Sequence, residues 1–298
     1  MATQSLWEQS NGWADLVAGA ASSVVRVEGR CGGGATGVAW TADGLVVTAA
    51  HAVEQDAPEV VLPSGERRTA TVVGADPGMD LAVLRAAGAP LPAANKGPLD
   101  GVRVGHLAVL VGRPGKSLRA RLGMVSALGP EWRTPGGRRV EAYLETDAGP
   151  ARGFSGAPLV AADGRVLGIQ TGGLLRGTGV VIPVVAVDRV VAMLTAHGKV
   201  RTAFLGIAMQ PVPLKRVPEP LKGHDLGLLV TGVEPDSPAE RAGILVGDIV
   251  VSIGSDGVQS LEELRALLSD DMIDRPVDVR LLRGGEVRVV PVTLAAHP

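Results

Sequence analysis

The sequence predicts a mainly β protein of two domains, and three observations lead to this prediction. The chain has 298 residues, about twice the length of a typical domain. Its 41 glycines and 21 prolines separate short runs rich in valine and leucine, as in strands joined by tight turns. Between about residues 22 and 183 no helical pattern of ten residues interrupts these runs, which favours antiparallel barrels over alternating strands and helices.

Residues 1–22 are predicted to form a short lead-in helix. Trp13, Leu16, Val17 and Ala20 recur at the spacing i, i+3, i+4, i+7, which places them on one helix face. The N-terminal segment is therefore interpreted as amphipathic.

Residues 23–198 are predicted to form the first domain, an all-β unit that ends in a helix. Strand-like runs such as GLVVTAA, LAVLRA and LAVLVG alternate with turn signals at 42–44, 63–65 and 162–164. Pro183 is suited to a helix start. The helix it opens would carry one apolar face and end near a glycine: Val187, Val190, Val191, Leu194 and then Gly198.

Residues 203–298 are predicted to form a small α+β domain. The sequences SPAE at 237–240 and SLEE at 260–263 are capping boxes, and each marks the start of a short helix. Strand-like runs surround the two helices, namely LLVTGV, DIVVSI, VDVRLL and VRVVPVTL.

The composition excludes several classes of function. With 29 basic and 31 acidic residues the net charge is −2, so no nucleic-acid-binding surface or polybasic membrane patch is indicated. Cys31 is the single cysteine and the five histidines are scattered, so we expect no disulfide, no metal and no cofactor. No run of 18 apolar residues occurs, and the N-terminus lacks the features of a signal peptide. The sequence therefore predicts a cytoplasmic protein.

Three short segments carry the residue types of a serine hydrolase. His51 ends the run TAAH, Asp80 precedes the apolar run LAVL, and Ser155 lies in the turn GFSGAPL. A serine hydroxyl needs a neutral imidazole to remove its proton, and a buried carboxylate holds that imidazole in the right tautomer. The glycines allow the N–H groups of Gly153 and Ser155 to converge on one point, where they would stabilise an oxyanion.

Each segment alone is a weak signal, and two other chemistries compete with this hypothesis. An α/β-hydrolase esterase would use Ser155, Asp188 and His197 in that order, but no alternating strands and helices precede the serine. A nucleophilic or redox role for Cys31 lacks a partner residue, and a small residue in a glycine-rich turn explains it better. The order of the three segments in an all-β chain favours the first hypothesis.

These segments resemble the triad segments of chymotrypsin-fold serine proteases, and in particular those of the HtrA (Deg) family. The likeness covers most of the chain from residue 22, including ADGLVVTAAHAV, VSALG at 125–129 and ETDA at 145–148. In the second domain, FLGI at 204–207 and VEPDSPAERAGI at 233–244 resemble the PDZ domain of that family. The resemblance implies a chymotrypsin-like double antiparallel β-barrel followed by a PDZ domain. It also implies a serine endopeptidase that acts on unfolded or damaged proteins.

The resemblance further implies roles for single residues. His51 would act as general base and then acid, Asp80 would orient it, and Ser155 would attack. Gly149 stands where trypsin-like relatives carry an acid, so an apolar P1 residue (the one whose carbonyl is attacked) of alanine to leucine size is expected. The other implied positions are the oxyanion-hole residues Gly153, Phe154 and Ser155, the substrate-binding residues Thr171 and Val180, and the PDZ carboxylate-binding loop Phe204, Leu205, Gly206 and Ile207.

The expected partners are polypeptide substrates and peptide C-termini. The resemblance also implies a homotrimer with Trp7 and Trp13 near its contacts. The chain departs from the family pattern at Arg152, Phe154 and Ala157. These residues are expected to add a charge, reshape the leaving-group side and crowd a close approach, respectively. They leave one alternative open, a catalytically weak peptide-binding scaffold or chaperone that retains the protease fold.

Overall fold

The computed structural model describes residues 5–28, 34–53, 58–88, 90–175, 177–199, 202–214, 225–268 and 272–296. The chain divides into two compact units, Met1–Val200 and Arg201–Pro298. Strands dominate both units, so the predicted mainly β fold class is confirmed. Cys31 lies outside the described residues.

Helix α1 (Leu6–Ala21) leads into the first unit. Ser5 and Glu8 form a reciprocal capping box at its start. The four side chains on its predicted apolar face are half-buried and pack against the core of the unit, namely Trp13, Leu16, Val17 and Ala20. Trp7 lies on the outer side of the helix and is 74% exposed.

The first six strands of the unit close into an antiparallel barrel in the order β1-β2-β3-β6-β5-β4. Their interior is filled by valine, leucine and alanine because alternate side chains of each strand face inward. A 3₁₀ turn, Ala50–Ala52, follows the third strand. The strands are β1 (Val24–Glu28), β2 (Gly34–Ala39), β3 (Leu45–Ala49), β4 (Glu59–Val61), β5 (Arg67–Asp76) and β6 (Leu81–Ala86).

The next eight strands form a second, strongly curved sheet and a small hairpin. The sheet order is β11-β8-β7-β12-β13-β14, and its two end strands meet where Thr146 N donates to Gly179 O at 3.0 Å. Strands β9 and β10 pair with each other outside this sheet. The strands are β7 (Leu107–Gly112), β8 (Arg119–Gly129), β9 (Trp132–Arg133), β10 (Arg139–Val140), β11 (Tyr143–Thr146), β12 (Pro158–Ala161), β13 (Val166–Gln170) and β14 (Val181–Pro183).

Helix α2 (Val184–His197) completes the first unit and begins directly after Pro183, as predicted. Its predicted apolar face is buried in the main core, and Gly198 caps its C-terminus at φ 69°. Asp188 on this helix accepts hydrogen bonds from Trp40 Nε1 at 2.6 Å and Lys96 Nζ at 2.9 Å. Asp188 is therefore part of a structural contact, which argues against its use as the catalytic acid of an esterase.

The second unit is a five-stranded sheet with β19 attached to β18, a separate two-stranded ribbon (β15 with β22), and two short helices. The sheet order is β16-β17-β18-β20-β21, so β16 is an edge strand. The elements are β15 (Ala203–Phe204), β16 (Ile207–Pro213), β17 (Leu226–Val233), α3 (Pro238–Arg241), β18 (Ile249–Ile253), β19 (Asp256–Gly257), α4 (Leu261–Leu267), β20 (Pro276–Arg283), β21 (Glu286–Thr293) and β22 (Ala295–Ala296).

The two predicted capping boxes are present in a modified form. Ser237 and Ser260 each accept a hydrogen bond from the amide three residues on, at 3.2 and 3.1 Å. The acids, however, reach one residue further back than a capping box requires. Glu240 binds Asp236 N, and Glu263 binds the backbone amide at position 259, each at 2.7 Å.

Candidate active site

His51 and Asp80 are brought together by the pairing of two barrel strands. Strand β3 pairs with β6, with Ala49 opposite Leu81. His51 follows Ala49 closely and Asp80 directly precedes Leu81, so the two residues meet at the end of the barrel. The backbone amide of His51 donates to Asp80 Oδ1 at 3.0 Å. Its ring Nδ1 lies 2.7 Å from Asp80 Oδ2 and 2.9 Å from Oδ1. With Nδ1 bound to the carboxylate, Nε2 is the ring nitrogen left to act as a base.

Electrostatics at this pair favour the ionised carboxylate. Burial raises the pKa of Asp80, but hydrogen bonds from His51 and Thr171 outweigh this effect and hold the pKa below its usual value. The hydrogen bond to Asp80 raises the pKa of His51 above its usual 6.5, against a smaller effect of burial. The neutral imidazole therefore predominates only at a higher pH than it does for an unperturbed histidine.

The side chain of Thr171 makes a contact with Asp80 that the sequence did not predict. Its side chain is fully buried and its hydroxyl donates to Asp80 Oδ2. That hydroxyl also accepts from Gly173 N at 3.2 Å. The side chain therefore orients the carboxylate, and only the backbone of this segment is left to pair with a substrate.

The turn that carries Asp80 is held by residues that the sequence did not single out. Asp80 has a positive φ of 53°. Asp76 Oδ1 accepts hydrogen bonds from Gly78 N at 2.9 Å and from Arg138 Nε at 3.2 Å. Thr134 donates to Gly78 O at 2.6 Å. Arg138 and Thr134 lie in the segment that connects β9 to β10. This hairpin therefore supports the turn that carries Asp80.

Ser155 lies in a turn fixed by hydrogen bonds on both sides. Gly156 N donates to Gln170 O at 2.8 Å. Gly156 has φ +87°, and a Cβ there would lie 2.0 Å from Thr36 O, so only glycine fits. No hydrogen bond joins Ser155 to His51 among the described residues, and catalytic hydrogen bonds often tighten only when substrate binds.

Thr36, on β2 of the first barrel, ties that barrel to the serine turn. Its amide donates to Ser155 O at 3.2 Å, and its hydroxyl donates to Gly153 O at 2.8 Å. The same hydroxyl accepts from Arg113 N at 3.0 Å, and Thr36 O accepts from Thr48 Oγ1 at 2.8 Å. The turn that carries Ser155 therefore docks on an element from the other barrel.

Two of the three predicted oxyanion-hole amides are available. Gly153 N and Ser155 N have no hydrogen-bond acceptor among the described residues, whereas Phe154 N donates to Ala151 O at 3.0 Å. Gly153 has φ +80°, and a Cβ there would lie 2.2 Å from Pro114 Cβ. The geometry thus leaves Gly153 and Ser155 as donors and removes Phe154 from the set, because its N–H closes the turn.

Two of the three departures from the family pattern, Phe154 and Ala157, are buried. Phe154 is 4% exposed and Ala157 fully buried, and both pack in the core of the second sheet. Most of the Phe154 ring therefore packs inward, whereas the sequence indicated that it would reshape the leaving-group side. Arg152 is exposed and lines an open groove of about 520 Å³ together with Arg119 and Arg121.

Val180 contributes its backbone to this region. Its side chain is fully buried in the main core, while its carbonyl oxygen accepts a hydrogen bond from Thr171 N at 3.2 Å. Its side chain therefore packs in the core, and the wall expected from it stays a prediction.

In the second unit, the predicted carboxylate-binding loop precedes the edge strand β16. Leu205 O and Gly206 O are used within the unit, because they accept from Ala239 N at 3.0 Å and Glu234 N at 2.9 Å. The amides of Leu205 and Gly206 have no backbone acceptor among the described residues. Gly206 has φ +80°, and a Cβ there would lie 2.2 Å from Ser237 Cβ. Helix α4 packs beside β16.

Comparisons with known proteins agree with this arrangement. A family model described as a trypsin-like peptidase domain matches residues 35–169, and one described as a PDZ domain matches residues 203–294. The chain is therefore a trypsin-like peptidase domain followed by a PDZ domain.

Similar proteins identify the family. A probable periplasmic serine endoprotease DegP-like of Chlamydia pneumoniae is 33% identical over 271 residues, which are 88% of this chain and 55% of the relative. The putative serine protease HhoB of Synechocystis sp. is 31% identical over 280 residues, 89% of this chain and 67% of the relative. The chain thus spans about half the length of the first relative. It belongs to the HtrA (Deg) family, which confirms the resemblance predicted from the sequence.

Solved structures of this family match nearly the whole chain. The HtrA-type protease AlgW with decapeptide has a TM-score of 0.71 at 25% identity, with 96% of this chain and 99% of that chain covered. The serine endoprotease from Yersinia pestis has a TM-score of 0.70 at 26% identity, with 96% and 98% covered.

None of the helices in the described part of the chain is both long and apolar enough to cross a membrane.

Proposed function

We propose that the chain is a serine endopeptidase that cleaves peptide bonds through an acyl-enzyme. The observation that carries this proposal is the bond of His51 Nδ1 to the buried Asp80 carboxylate at the barrel end. The neighbouring turn supplies Ser155 and two amides without acceptors, at Gly153 and Ser155. The names of the similar proteins, which are serine proteases, support the same activity.

The proposed reaction uses each group in turn. Ser155 Oγ attacks the peptide carbonyl carbon while its proton passes to His51 Nε2, and the amides of Gly153 and Ser155 stabilise the oxyanion. The C–N bond then breaks as His51 returns the proton to the leaving amine. Water, deprotonated by His51, attacks the acyl-enzyme and releases the acid, and Ser155 regains its proton. Asp80 stabilises the imidazolium in both halves.

Labelling with a fluorophosphonate tests this proposal directly. The reagent reacts with an activated serine, so we expect stoichiometric labelling of the wild-type chain at Ser155. A wild type that takes up no label, with or without a C-terminal peptide, would contradict the proposal. It would instead favour the alternative of a peptide-binding scaffold or chaperone.

The hairpin that supports the aspartate turn is proposed to position Asp80 for this reaction. Replacing Arg138 with Met removes a donor to the buried Asp76, and a hydrogen bond to a charged group is worth about 1.5–3 kcal/mol. We expect kcat to fall about 10-fold while KM stays unchanged, with partial rescue by Arg138→Lys. Steady-state kinetics with Arg85→Met, an exposed ion-paired arginine, as control measures this. If Arg138→Met lowered the melting temperature but left kcat unchanged, the hairpin would stabilise the fold without positioning Asp80.

The PDZ domain is proposed to bind peptide C-termini by strand addition. An extended peptide would pair with the free edge of β16, beside α4, and its carboxylate would accept from the amides of Leu205 and Gly206. Phe204 and Ile207 flank these two amides in the loop.

Gly206→Ala is expected to weaken this binding. The added Cβ would collide with Ser237 and force the loop to move, so affinity for a peptide with a free C-terminus should fall at least about 10-fold. Calorimetry with free and amidated peptides measures the loss. Gly243→Ala is the matched control, because Gly243 also has positive φ but open space around it. Equal losses in both variants would contradict a role for the loop.

The proposals for the substrates and the assembly are supported by the family resemblance. We propose unfolded or damaged proteins as substrates and a homotrimer as the assembly. Trp7 is exposed and available for contacts between subunits, whereas Trp13 packs between α1 and the core. The proposed domain limits are 1–22, 23–198 and 203–298. The cytoplasmic location predicted from the sequence stays a prediction, since relatives are named periplasmic.

A further inference from the structure

The side chain of Gln170 is buried without a hydrogen-bond partner. It is 1% exposed, and neither Nε2 nor Oε1 has a partner among the described residues. Of the buried side chains that the structure describes, it is the one with two such atoms. Burying an amide without hydrogen bonds costs free energy. A group that supplies both a donor and an acceptor to this side chain would remove that cost.

Gln170 lies beside the bond that Ser155 would attack. Its carbonyl oxygen accepts from Gly156 N at 2.8 Å, next to the nucleophile. Side chains alternate along a strand, so Gln170 points to the face opposite that of Thr171, which contacts the catalytic aspartate. Gly172 shares the face of Gln170, and a Cβ there would lie 3.4 Å from Ser155 Oγ. Gln170 and Gly172 thus lie on the side of this segment that is next to Ser155.

Glycines border the space around this amide. A Cβ at Gly149 would lie 3.5 Å from Gln170 Nε2 and 3.3 Å from Leu110 Cδ1, so Gly149 faces both the amide and an apolar side chain. A Cβ at Gly179 would lie 1.8 Å from Thr146 O, so a larger residue is excluded there. Gly149, Gly179 and the apolar side chain of Leu110 therefore lie around the amide, and each glycine leaves out the bulk of a side chain.

We propose that Gln170 selects a P1 residue of valine size that carries a hydroxyl group, with threonine preferred over valine. This inference rests on the proposed protease function and names its substrate class. The hydroxyl of threonine both donates and accepts, so it matches Oε1 and Nε2 together. Threonine and valine have nearly the same shape, so hydrogen bonds to the amide would distinguish them. The glycine at position 149 alone had implied an apolar P1 residue.

Two C-terminally amidated fluorogenic peptides that differ only in threonine or valine at P1 test this proposal on the full chain. We expect the wild type to cleave the threonine peptide with a kcat/KM about 5- to 100-fold higher, since valine leaves the amide unpaired. In Gln170→Met the ratio should fall below one. Gln9→Met makes the same change at an exposed position of α1 and should keep the wild-type ratio.

Two further readouts separate this inference from the proposed function. Binding of the same amidated peptides to Ser155→Ala protein, measured by fluorescence anisotropy, reports the threonine preference without turnover. The melting temperature of Gln170→Met without peptide should rise, because an unpaired buried amide is removed. A wild-type ratio at or below one, or a ratio that Gln170→Met leaves unchanged, would overturn the inference. Loss of turnover with a retained binding preference would contradict only the protease.

Discussion

Ser155→Ala is expected to reduce the rate of casein hydrolysis about 10⁶-fold, as removal of a triad serine does elsewhere. The hydroxyl is the attacking group, and the remaining amides at Gly153 and Ser155 give only a small residual acceleration over water. Ser155 Oγ makes no hydrogen bond among the described residues, so the melting temperature should not change. Initial rates and thermal unfolding of the same preparation measure both effects.

Ser126→Ala is the matched control for this loss. Ser126 is an exposed residue of β8, so the same substitution there should leave the rate unchanged. If Ser155→Ala kept wild-type hydrolysis, another nucleophile or a contaminating protease would have to carry the activity.

Asp80→Asn is expected to have the second largest effect, a fall in kcat of about 10⁴-fold. An amide in place of the carboxylate no longer fixes Nδ1–H of His51, so the ring can adopt the wrong tautomer. The substitution also removes the hydrogen bond that raises the pKa of His51.

The pH dependence of kcat/KM provides a second measurement for this variant. Only neutral His51 can accept the proton of Ser155, so wild-type activity is lost as pH falls through a pKa above 6.5. Without the Asp80 carboxylate that pKa is lower, and the residual activity should persist to lower pH. Asp163→Asn, in an exposed turn, is the control and should keep the wild-type profile. A midpoint that does not move in Asp80→Asn would contradict the assigned cause of the shift.

The fold class followed from local patterns in the sequence, and so did the positions of the main helices. Pro183 and Gly198 delimit α2 because their backbone preferences act within one turn. The segments around His51, Asp80 and Ser155 were also recognisable, since each combines a chemical group with a local turn.

Contacts between distant residues could not be read from the sequence. The bonds of Arg138 to Asp76 and of Thr171 to Asp80 join residues 62 and 91 positions apart. Nothing local distinguishes these side chains from ordinary surface or strand residues. The inward orientation of Phe154 was missed for the same reason, because only the docked turn decides which side of the chain faces the core.

The hydrogen bonds of Thr36 have a consequence for the order of events during synthesis. His51 and Asp80 leave the ribosome first, but the hydroxyl of Thr171, which binds Asp80, follows 91 residues after it. The serine turn becomes fixed only when Gly153 and Ser155 dock on Thr36. The three side chains are therefore positioned together only after residues through Thr171 have been synthesised, so a shorter nascent chain does not hold the complete arrangement.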